Sequence, residues 1–155
     1  MTTDHLTPRI DMTAHAGGPY AAMVRVSERI ELDPRLKHLV ELRASQINGC
    51  AFCLDMHWTA AKAHGESDLR LAQLAAWDES PAFDERERAA LALTEAMTHV
   101  ADTHVPDDVW ARARRHFDER ELAHLVVQIA AINFWNRVAV ASRAVPAGYA
   151  PAAAA

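Results

Sequence analysis

The chain has 155 residues, a formal net charge of −5 at pH 7, half of its residues apolar and about a quarter charged. That length fits one domain with a real core, and that charge excludes the basic footprint of a nucleic-acid binder. Alanine is abundant, β-branched runs are few and only five glycines occur, so the composition favours helices.

In chain order, residues 1–18 (MTTDHLTPRIDMTAHAGG) are polar, lack periodicity and end in Gly17-Gly18, which reads as a flexible arm. They contain no apolar run of the secretory type, and no stretch of the chain reads as a membrane span; a cytoplasmic location is expected. Pro19 opens an amphipathic helix, PYAAMVRVSERI. Asp33-Pro34 is a stronger start, an N-cap followed by proline, and the helix it opens ends at Asn48-Gly49. A further helix begins near Cys50 and stops at Gly65. Ser67 caps a short helix through Leu71, Leu74 and Ala75, which Ser80-Pro81 breaks. Asp84 with Glu87 forms a capping box that opens a helix to about Val100. Pro106 opens another, carrying Val109, Trp110, Ala113 and Phe117. Its basic cluster, Arg112, Arg114 and Arg115, is flanked by acids and reads as a solvated face.

Asp118 and Glu121 form a second capping box, with Phe117 and Leu122 placed as a hydrophobic staple. The helix that follows, from Glu119 to about Arg143, is apolar on more than one face, as expected of a central helix or one covered by another subunit. Asn133 and Asn136 interrupt its apolar run and are expected to serve packing within the core or an interface. Residues 146–155 have no core pattern and read as a mobile tail. The fold class is all-α.

Both cysteines fall in one short stretch, Ser45 to Gly65, with Cys50 and Cys53 three apart and His57 four beyond the second. On a helix opening near Cys50 the three share one face. Two sulfurs one turn apart can close a disulfide, and in a reducing compartment such a pair is catalytic, metal-binding or inert rather than a staple. Helix-end electrostatics favour Cys50 as the activated thiol, while the i,i+4 imidazole favours Cys53. From the residues alone the balance tips only slightly to Cys53. A zinc site would take Cys50, Cys53 and His57 and recruit His64, His38 or a subunit neighbour, since no second ligand pair completes it.

The stretch RASQINGCAFCLDMH, Arg43 to His57, resembles the core motif of the alkylhydroperoxidase D-like proteins in the carboxymuconolactone decarboxylase family. Leu74–Thr98 and His116–Arg137 resemble that family in order and spacing, and the likeness covers roughly residues 20–145. The resemblance implies a single helical domain over residues 19–145, assembled as a homo-oligomer, a trimer or hexamer. It implies a peroxidase without cofactor that reduces hydroperoxides and is recycled by an external dithiol, thioredoxin-like or lipoyl-bearing. It assigns the peroxidatic sulfur to Cys53, the resolving sulfur to Cys50 and the proton-relay imidazole to His57. At the position of the family's relay glutamate this chain carries His38, with Glu41 one turn later on the same helix; either is a candidate to orient His57. The alternatives are a decarboxylase of a lactone acid, against which the thiol pair counts, and a zinc-stabilised or structural helical interaction protein.

Overall fold

The computed structural model describes residues 7–149. Its elements are α1 (Met12–Glu28), α2 (Pro34–Asn48), α3 (Ala51–Ala63), α4 (Asp68–Gln73) with a 3-10 turn (Leu74–Ala76), α5 (Glu85–Thr98), α6 (Val100–Thr103), α7 (Asp107–His116), α8 (Glu119–Ser142) and a last 3-10 turn (Ala147–Tyr149). No strand occurs among the described residues.

The local start and stop signals work as their chemistry requires. The Asp33 carboxylate accepts the N–H groups of Arg35 and Leu36, and Pro34 occupies the first turn of α2, where its missing N–H costs no bond. Gly49 closes α2 at φ +65°, the left-handed conformation that a residue without Cβ adopts at no steric cost. The capping boxes of Asp84 with Glu87 and Asp118 with Glu121 are both complete. Phe117 and Leu122 are buried in the same cluster, as a staple across the start of α8 requires.

Four expectations are corrected. The flexible arm expected over residues 1–18 does not hold for its described part: the Arg9 N–H donates to Ser142 O of α8 at 2.8 Å, and the Asp11 side chain accepts from Thr13 and Ala14 and starts α1 at Met12. The backbone breaks at Ala16 and resumes, so Pro19 lies in the first turn after the kink rather than at the helix start. At the other end, Ala147–Tyr149 forms a turn against α3; residues 150–155 of the expected tail, like residues 1–6, lie outside the described residues. Finally, α8 and the segment after it are long and apolar enough to cross a membrane by length and composition, which the sequence did not indicate. In this fold α8 is an inner helix, packed on α1, α2, α3, α5 and α7.

Helix α2 is the hub. Its Leu36 and Val40 join Ala89 and Leu93 of α5 with Leu125 and Ile129 of α8 in one buried cluster. Its Leu39 and Leu42 join Ala61 of α3, Leu71, Leu74 and Leu91 in a second. Beside the second cluster, buried Glu66 receives Arg35 at 2.8 Å and Arg70 at 2.9 Å. The turn between α2 and α3 is pinned to α8 by amides. Asn48 Nδ2 donates to Asn133 Oδ1 at 3.0 Å and Asn136 Oδ1 at 2.9 Å, and Asn136 Nδ2 donates to Ser45 Oγ at 3.0 Å. This fulfils the packing role expected of Asn133 and Asn136. It also fixes where α3, and with it the cysteine pair, begins.

Candidate active site

Cys50 is the N-cap of α3, and its sulfur accepts the backbone N–H of Cys53 at 3.3 Å. The two cysteines form a disulfide, Cα to Cα 5.4 Å, within the range that the bond requires. Both are almost fully buried. Cys53 lines a cavity of about 890 Å³, whereas Cys50 does not and packs against Ala139 and Phe52. The cavity wall is mainly apolar, with Tyr20 and Val24 from α1, Phe52 and Met56 from α3, and Trp135 and Val138 from α8. Trp135 is held there by its indole N–H on Ser27 Oγ at 3.0 Å and by an edge contact with Tyr20.

His57, one turn beyond Cys53, also lines the cavity. Its Nδ1 lies 2.9 Å from Glu41 Oε2. Its Nε2 is buried and has no hydrogen-bond partner among the described residues. Glu41 is itself buried on α2 and carries two more contacts: Gln128 Nε2 of α8 donates to Oε1 at 3.0 Å, and His38 Nδ1 lies 3.0 Å from Oε2. Burial pushes the Glu41 carboxyl up, but the hydrogen bonds from His38 and His57, with the charges of His57 and Lys37, outweigh it and lower its pKa to about 2. Glu41 is therefore an anion at neutral pH. A carboxylate only accepts, so His57 Nδ1 carries the hydrogen, and in the neutral ring the lone pair sits on the unpartnered Nε2.

All five residues singled out in the sequence thus fall in one cluster or on its edge. Glu41, not His38, touches His57; His38 reaches the circuit through Glu41. Gln128 was missed, although a lone buried amide in an apolar helix is the same signal that marked Asn133 and Asn136. The outer partner of His38 was missed as well: its Nε2 lies 3.0 Å from His64 Nδ1. The zinc set drawn from both cysteines meets sulfurs bonded to each other and a His57 Nδ1 engaged by Glu41. His38, Glu41 and His57 do bring one candidate ligand atom each within 4.8 Å of one another, and hydrogen bonds to a shared carboxylate account for that approach.

The profile of the carboxymuconolactone decarboxylase family matches residues 20–96. The uncharacterized protein YdfG of Bacillus subtilis is 39% identical over 119 residues, 77% of this chain and 81% of YdfG. A crystal structure of ATU0492 from Agrobacterium tumefaciens, a protein of unknown function for which the role of an antioxidant defence protein AhpD has been proposed, superposes with a TM-score of 0.88. It is 38% identical, covering 90% of this chain and 98% of that one. The debrominase Bmp8 shares the fold at a TM-score of 0.72 and 20% identity, over 83% of this chain and 70% of its own.

Proposed function

This chain belongs to the carboxymuconolactone decarboxylase family, and from that premise we propose that it is a thiol-dependent peroxidase acting on organic hydroperoxides. The observation that carries the reading is His57, which lines the same cavity as Cys53, with Nδ1 held by Glu41 and Nε2 without a partner among the described residues. A base needs a free lone pair and a second group that fixes its tautomer, and His57 has both.

In the reduced protein, His57 Nε2 takes the Cys53 proton. The Cys53 thiolate attacks the outer oxygen of the hydroperoxide, and the O–O bond breaks. Cys53 becomes a sulfenic acid and the leaving alkoxide recovers the proton from His57 as an alcohol. Cys50 then attacks the Cys53 sulfur. Its proton leaves with the expelled hydroxide as water, and the Cys50–Cys53 disulfide closes. An external dithiol returns two electrons and two protons by exchange. Cys53 takes the first role because it faces the cavity, while Cys50 lies behind it. The apolar wall suits an organic hydroperoxide better than hydrogen peroxide. Decarboxylation of a lactone acid would leave the disulfide without a task.

The test is consumption of an organic hydroperoxide by the reduced protein with a panel of dithiols, thioredoxin-like and lipoyl-bearing. Turnover with at least one dithiol, lost in Cys53→Ser, is the expected result. No consumption with any of them contradicts the proposal.

A further inference from the structure

His38 and His64 have no place in the steps above, yet they are joined to them. His38 Nδ1 and His57 Nδ1 meet the same oxygen, Glu41 Oε2, at 3.0 and 2.9 Å. His38 is buried; His64, at the C-terminal cap of α3, is exposed. Neither lines the cavity. We infer that the His38–His64 pair is a solvent-fed brake on His57, competing with it for the single negative charge of Glu41. The inference rests on the proposed role of His57 as the base for Cys53.

The hydrogen-bond partners define two states. His64 Nδ1 lies 3.0 Å from both His38 Nε2 and the carbonyl of Ala60. A carbonyl only accepts, so in the neutral state His64 Nδ1 carries the hydrogen, His38 Nε2 accepts, and His38 Nδ1 donates to Glu41. A proton gained by the pair places hydrogens on both nitrogens of His38 and turns His64 Nδ1 into an acceptor, at the cost of its bond to Ala60. The two rings share one hydrogen between His38 Nε2 and His64 Nδ1, and exposed His64 is the pair's door to water.

The gained charge sits against the carboxylate that would otherwise stabilise His57 as an imidazolium. Glu41 offers one negative charge to two rings that donate to one oxygen, so protonation of one weakens the other as a base. The groups facing the pair are Glu41 on α2 and His57 and His64 on α3; Lys37 adds a positive charge near Glu41, and Gln128 from α8 is neutral. As pH falls, the pair takes its proton, His57 loses basicity and the Cys53 thiolate is lost more steeply than one titrating thiol allows.

The experiment is the rate of Cys53 alkylation by iodoacetamide against pH, in full-length Cys50→Ser protein with and without His38→Asn. Asparagine keeps a donor toward Glu41 and cannot titrate. Log rate should fall on the acid side with a slope approaching about 2 in the parent and about 1 in His38→Asn, with the two rates within about twofold of each other at alkaline pH. Should His38→Asn fail to fold by circular dichroism, His64→Gln at the exposed end should move the slope in the same direction. Equal slopes in parent and variant, or a uniform loss of rate at every pH, overturn the inference. Alkylation reads thiolate formation alone, so absence of peroxide turnover would sink the peroxidase reading and leave this one intact.

Discussion

His57 Nδ1 stands 2.9 Å from Glu41 Oε2, and this one contact decides which face of the imidazole is left for chemistry. With Nδ1 committed to an anion, Nε2 is the nitrogen left without a partner among the described residues, on a ring that lines the same cavity as Cys53. Loss of the ring in His57→Ala should slow thiolate-dependent reaction by about 10²-fold or more, and Glu41→Gln, which keeps an acceptor but no charge, by about tenfold. Stopped-flow peroxide reduction checks both; a Glu41→Gln protein as fast as wild type would remove Glu41 from the mechanism.

The same carboxylate predicts acid lability. Its pKa in the fold is lowered from 4.5 to about 2, chiefly by the His38 and His57 hydrogen bonds working against burial. A depressed carboxylate stabilises the fold above its unfolded pKa and loses that contribution as pH drops through the folded one. Stability should therefore fall by on the order of 3 kcal/mol between about pH 5 and pH 2 on account of Glu41. Denaturant melts should show this acid decline in wild type and a smaller one in Glu41→Gln.

Gly49 holds φ +65° between α2 and α3, and a Cβ built there meets nothing within 4 Å. Gly49→Ala should then cost only the backbone term, about 1–2 kcal/mol, without a clash. A thermal melt that shows no loss would mean the turn relaxes out of the left-handed region.

Asn136 is fully buried and links Asn48 to Ser45. Asn136→Ala leaves Ser45 Oγ without the amide donor, and should cost about 1–3 kcal/mol. Because the broken bonds lie at the α2–α3 turn, the loss should be accompanied by faster amide exchange at the start of α3. A destabilised protein with unchanged exchange there would separate Asn136 from the cysteine pair.

Most of the helix boundaries were legible because their causes are local. Asp33-Pro34, Asn48-Gly49 and the two capping boxes state their role within four residues. The start of α1 was not, since Asp11 lies in a polar stretch whose helix breaks at Ala16 and keeps no residue buried. The CxxC pair and its histidine were legible because they lie within eight residues, with Cys53 and His57 one turn apart on α3 and Cys50 as its N-cap. The choice between His38 and Glu41 was not: the two share a face of α2, and only the way α2 meets α3 puts Glu41 on His57. Gln128 and His64 lie 87 and 26 residues from the groups they bind, distances that local pattern cannot bridge.

The proposed cycle makes its most direct claim about the two sulfurs. Reduced protein treated with one equivalent of an organic hydroperoxide, then alkylated and weighed by mass spectrometry, reports on both at once. The account predicts a loss of two hydrogens, no alkylation at Cys50 or Cys53, and, in Cys50→Ser, a sulfenic acid on Cys53 that a dimedone-type reagent traps. Full alkylation of both thiols after peroxide, or trapping at Cys50 in an active Cys53→Ser protein, would contradict it.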